Sequence, residues 1–67
     1  MKSILRICGM RDNNDVGKIQ ANLSQLEGII ACEILLKKNE VQIIYNEDFI
    51  EEEKIVNCIE NLGYMVV

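Results

Sequence analysis

The 67-residue chain contains no histidine and no proline. Without histidine there is no imidazole to serve as base, acid or borderline metal ligand. Without proline, no position is barred from a helix interior or a central strand on that ground. The aromatic residues are Tyr45, Phe49 and Tyr64 alone, too few for a base-stacking platform. No basic run or stripe interrupts a net charge of -4. Nucleic acid is therefore not an expected partner, nor is an anionic membrane surface. No stretch approaches the ~18 apolar residues that a membrane span requires. Met1 to Arg6 lack the long apolar core of a signal peptide. The three cysteines are odd in number and include no CxxC pair, so reduced thiols and a cytoplasmic location are expected. A glycine-rich phosphate loop is absent and no nucleophile–base pair is recognisable, so the chain is not expected to be an enzyme.

What is present is apolar density. A chain of this length buries only ~60 % of its unfolded surface, yet 49 % of its residues are hydrophobic. That suffices for one core in a single domain, residues 1–67. Residues 2–8 alternate as a strand, with Leu5 and Ile7 on one face and Ile4 and Arg6 on the other. Gly9 breaks the pattern, and Asp12, Asn13 and Asn14 supply helix-start chemistry. Val16, Ile19, Leu23 and Leu26 follow at helical spacing over residues 15–27, with Gly28 as the stop. Residues 29–37 read as a second strand, Lys38-Asn39 as a short hairpin turn and 40–46 as a third strand. Residues 50–62 form a second helix, with Glu51, Glu52 and Glu53 in its first turn, where the helix dipole favours acids. Gly63 ends it, and residues 64–67 make a fourth strand.

The order βαββαβ contains an echo: Leu26-Glu27-Gly28-Ile29 closes the first helix and Asn61-Leu62-Gly63-Tyr64 the second. This split βαβ layout predicts an α+β, ferredoxin-like sandwich. Its four-stranded antiparallel sheet has the order 4-1-3-2, with both helices on one face. The predicted core combines Leu5, Ile7, Cys32, Ile34, Leu36, Val41, Ile43, Tyr45 and Val66 with Val16, Ile19, Leu23, Leu26, Ile55, Cys58, Ile59 and Leu62.

Gly9-Met10 after a strand, the ending Leu26-Glu27-Gly28-Ile29 and the closing Ile59-Glu60-Asn61-Leu62-Gly63-Tyr64 resemble the heavy-metal-associated domain of copper chaperones and P-type metal ATPases. The resemblance spans about Ile4 to Val66. That family carries the motif G-M-x-C-x-x-C, whereas this chain reads Gly9-Met10-Arg11-Asp12-Asn13-Asn14-Asp15. The resemblance thus implies that Asp12 and Asp15 occupy the two cysteine positions, which hold Cu(I) in the family. Soft metals prefer sulfur, and carboxylates suit Mg, Ca or Mn. Cu(I) binding at this loop is expected to be lost. No cofactor is expected beyond, at most, a weakly held divalent ion on Asp12 and Asp15, since two carboxylates fall short of a Ca²⁺ cage. One aspartate is expected to cap the first helix, the other to sit in its first turn.

The other candidate groups have simpler readings. Cys32 and Cys58 are expected in the core as small hydrophobes, and Cys8 on the open sheet face, apart from both. Met10 and Tyr64 read as core anchors beneath the loop. Glu47, Asp48 and Glu51 to Glu53 form an acidic cluster that would suit a basic partner. On the open face Ile4, Leu35, Ile44 and Met65, one from each strand, are expected to line up as an apolar stripe. That stripe predicts docking of a protein partner or of a second copy. The functional expectation is a degenerate heavy-metal-associated domain acting as a non-enzymatic interaction or regulatory module. The alternative is a metal-binding, chaperone-like protein with altered metal preference, using Asp12 and Asp15 and completed by a partner chain.

Overall fold

The computed structural model describes residues 1–67. Four strands, β1 (Lys2–Cys8), β2 (Ile29–Leu35), β3 (Glu40–Tyr45) and β4 (Met65–Val66), alternate with helices α1 (Asn13–Ser24) and α2 (Glu52–Asn61) in the order β1-α1-β2-β3-α2-β4. The strands form one antiparallel sheet in the order β2-β3-β1-β4, the predicted order read from the other edge. Period-two alternation places Leu5, Ile7, Val41, Ile43 and Tyr45 on the face beneath the helices. Ile19 and Leu23 of α1 and Ile55 and Ile59 of α2 close over them, and all nine are buried. Cys32, Ile34, Leu36, Cys58, Leu62 and Val66 pack against this core without being fully buried.

Several boundaries differ from the sequence reading, for local reasons. α1 ends at Ser24 with Gln25 as its C-cap, although the apolar spacing continues to Leu26. Leu26 lies in a turn but still packs on the core. Gly28 therefore does not stop α1. It serves a separate turn closed by the Ile29 N–H donating to the Leu26 carbonyl at 3.3 Å. Its φ of +100° lies in the left-handed region, and a Cβ there would sit 2.8 Å from Ile50 Cγ2, so glycine is required twice over. Ile50, read as the first residue of the second helix, instead precedes it and is buried against that turn. The β2–β3 connection is a 3-10 turn, Leu36–Lys38, capped by Asn39 at φ 55°. Asparagine tolerates this left-handed position better than most residues. α2 ends as predicted, with Gly63 at φ +101° just past its C-cap, Leu62.

Register corrects the expected apolar stripe. Gln42 stands opposite Ile4 and Glu33, Ile44 opposite Lys2 and Ala31, Glu40 opposite Arg6 and Leu35, and Met65 opposite Cys8. Ile44, Ile4, Leu35 and Met65 thus fall in four different rows of the open face, with Gln42, Glu40 and Arg6 between them. An irregularity between Ile29 and Ala31 adds one residue at the start of β2, but from Ala31 to Leu35 the pairing with β3 is regular, its register carried by the Leu36–Lys38 turn and Asn39. Ile4, Ile44 and Met65 are exposed, while Leu35 is half-buried. Arg6 reaches its cross-strand partner Glu40 at 4.0 Å, a solvent-accessible pair that contributes little to stability.

Candidate metal-loop site

The loop between β1 and α1 is fixed from both sides. Met10 is buried and ties it to the core. Gly9 turns at φ +111°, with the Tyr64 ring directly over it, 3.4 Å from where a Cβ would stand. Asp12 has extended backbone and is the N-cap of α1. Its Oδ1 accepts from the backbone N–H of Asn14 at 3.0 Å and of Asp15 at 3.3 Å, satisfying two of the four donors a helix start leaves free.

Asp15 answers from the first turn. Its Oδ2 accepts from the Arg11 N–H at 2.8 Å and its Oδ1 from the Tyr64 hydroxyl at 2.5 Å. The arrangement is a capping box displaced by one residue, because the returning carboxylate takes the N–H before the cap and not that of the cap itself. Lys18, one turn on, donates to the Leu62 carbonyl at the end of α2 and lies 5.7 Å from the centre of the Tyr64 ring. Loop, helix start, helix end and β4 are thereby joined around one phenol. Sequence reasoning placed Asp12 and Asp15 in the cap and the first turn. It missed the Asp15–Tyr64 bond, because 49 positions separate the partners and no local signal links them.

The electrostatics follow from the geometry. The Tyr64 hydrogen bond, then the Arg11 N–H, hold the Asp15 carboxyl below its ordinary value of 3.8. The same hydrogen bond, aided by burial and by the Asp15 charge, pushes the Tyr64 phenol from 10.0 up to about 12. Asp15 therefore stabilises the fold fully above about pH 4, and that contribution is lost as pH falls through its lowered folded value. Tyr64 contributes fully below pH 10, and its share is lost as pH rises towards about 12. In Asp15→Asn the Tyr64 ring resonances are expected to titrate nearer 10 than 12. An unchanged midpoint would show that Asp15 is not the cause.

As metal ligands these groups are poorly disposed. Each Asp15 oxygen already accepts a hydrogen bond, and one oxygen of Asp12 accepts two. No three histidine, cysteine, aspartate or glutamate side chains converge anywhere in the chain to hold an ion. Cys8 is exposed at the end of β1, and Cys32 and Cys58 are half-buried in separate places, with burial raising both of their thiol pKa values. The loop's oxygen donors do not fit a monovalent copper cargo.

The remaining features lie apart from the loop. The acidic residues Glu47, Asp48, Glu51, Glu52 and Glu53 gather at the start of α2. This is the end of the molecule where β1 begins, whereas the loop lies where β1 ends. A groove of about 670 Å³ runs between the helices, lined by Asn22, Asn57, Asn61, Leu26, Cys58 and Leu62 among others. No pocket was expected from the sequence.

The model of the heavy-metal-associated domain family matches residues 4–65. The chain belongs to the heavy-metal-associated domain family. This heavy-metal-associated domain is 27 % identical over 66 residues to the copper chaperone CopZ of Staphylococcus haemolyticus, covering 98 % of this chain and 97 % of that protein. A CopZ metallochaperone structure superposes with a TM-score of 0.97 over the whole of both chains at 22 % identity, a likeness of fold. The water-soluble region of the P-type ATPase CopA from Bacillus subtilis superposes with a TM-score of 0.95 at 25 % identity, covering all of this chain and 44 % of that one. The ferredoxin-like architecture read from the sequence is the one these structures share. No helix is long and apolar enough to cross a membrane.

Proposed function

We propose that this heavy-metal-associated domain has lost thiolate binding of Cu(I) at the β1–α1 loop and acts as a non-enzymatic protein-interaction or regulatory module. The observation that carries this reading is the commitment of Asp12 and Asp15 to the helix start and to Tyr64. The resemblance puts these residues at the family's two cysteine positions. Oxygen there exchanges a soft grip for a hard one, and the oxygens are engaged in holding the loop. What remains of a copper chaperone is its shape and its surfaces. The open sheet face, where Ile4 and Ile44 are exposed on adjacent strands, is the face assigned to a protein partner.

A second reading keeps metal binding but changes the metal, with Asp12 and Asp15 holding a hard divalent ion completed by a partner chain. The closeness of two carboxylates at one helix start favours it. Amide spectra separate the two readings. Our proposal expects no shifts in residues 10–17 on adding Mn²⁺, Ca²⁺ or Zn²⁺. Saturable shifts confined to those residues would instead favour the divalent site.

A further inference from the structure

Two strands of the open face meet at sulfur. Cys8 closes β1, Met65 opens β4, and they are direct cross-strand partners. The adjoining pair, Ile7 and Val66, turns inward: Ile7 is 1 % exposed and Val66 packs against the core. Alternation therefore sends Cys8 and Met65 out together on the face that carries no helix. Residues directly opposed in an antiparallel pair hold their Cβ atoms about 4.5–5.5 Å apart. From that spacing a thiol one bond from Cβ and a flexible thioether two bonds from Cβ can converge on one ion. Both are open to solvent, Met65 at 60 %. Arg6, the neighbouring side chain on the same face, is directed to Glu40.

We propose that Cys8 and Met65 form a site for a soft monovalent d¹⁰ cation, Cu(I) or Ag(I), on the open sheet face. Thiolate and thioether are the donors that select such ions over Zn²⁺, Mn²⁺ or Ca²⁺. A closed-shell monovalent ion accepts two donors in line, so a pair suffices where a divalent ion demands more. Binding forms a metal–thiolate bond and releases the thiol proton to solvent, so affinity falls as the pH is lowered. Cys32 cannot join, because it is on the inward face of β2, and Cys58 lies at the groove between the helices. The site shares no residue with the β1–α1 loop and does not depend on the function proposed for it.

The test is titration of the full chain, reduced and under nitrogen, with Ag(I) and with Cu(I) against a competing chelator. The Met65 methyl resonance and the metal stoichiometry are read together. One equivalent is expected to shift the Met65 methyl, and the same addition of Zn²⁺ to leave it in place. Cys8→Ser is expected to abolish binding, and Met65→Leu to weaken it by at least about tenfold. The double variant Cys32→Ser with Cys58→Ser is expected to bind as the parent does. An unmoved Met65 methyl at saturation, full affinity in Met65→Leu, or retained binding in Cys8→Ser would each overturn the proposal. The first of these is read in the unaltered chain and so needs no variant to fold.

Discussion

Asp12→Cys combined with Asp15→Cys is expected to raise the Cu(I) affinity of the loop by at least about a thousandfold, equivalent to about 4 kcal/mol. The backbone already presents these residues three apart at a helix start, between a buried Met10 and the Tyr64 ring. Only the donor atoms need to change for two thiolates to face one soft ion. The gain has a structural cost. Cysteine at position 12 is a poor cap, and losing the Asp12 contacts to Asn14 and Asp15 costs about 1 kcal/mol, a fall of about 4–8 °C in Tm for a domain of this size. Cysteine at position 15 also releases the Tyr64 hydroxyl. Copper titration against a chelator and thermal melting of the metal-free variant check both halves. A variant that melts lower yet binds no tighter would show that loop geometry, and not donor chemistry, limits binding.

The largest stability effect is expected at Ile43. It lies at the centre of β3, opposite Ser3 and Cys32, with no exposed surface. Ile43→Ala removes buried methyl groups and leaves a void, at a cost of about 2–5 kcal/mol. A chain this short has a total stability of about 3–10 kcal/mol, so the variant loses most of its margin. The adjacent Ile44 is 42 % exposed on the other face, and Ile44→Ala should change stability by no more than about 0.5 kcal/mol. Urea unfolding of the two variants compares neighbouring residues of one type on opposite faces. Equal losses would contradict the facing of the sheet described here.

The contrast between Ile43 and Ile44 also shows what kind of information the sequence held. Alternation in β1 and β3, helix-start chemistry across Asp12 to Asn14 and the glycine after α2 are local patterns, and each was readable; which of the three residues caps was not. Nor was the end of α1. The apolar period through Leu26 reports packing and not hydrogen bonding, and Leu26 still packs against the core, half-buried, after the helix has stopped. The apolar stripe failed because it depends on register. Which residues of β1, β3, β2 and β4 stand opposite one another is set by the turns and by closure of the fold, and no residue type announces it. Ile50 escaped because a single apolar residue before a run of acids has no period to belong to. The Asp15–Tyr64 bond depends on the fold closing, which brings Gly63-Tyr64 over Gly9. The candidate loop was thus legible in position and donor type, but not in what its carboxylates hold.

The account is tested most directly by Cu(I) titration, against a competing chelator, of the chain with Cys8, Cys32 and Cys58 all changed to serine. Only Asp12, Asp15 and their neighbours then remain to grip an ion at the loop. The chelator is expected to keep all the copper. Tight binding of one Cu(I) per chain, with amide shifts centred on residues 10–17, would contradict the claim that the loop's oxygens are unsuited to copper and already committed to the helix start and to Tyr64.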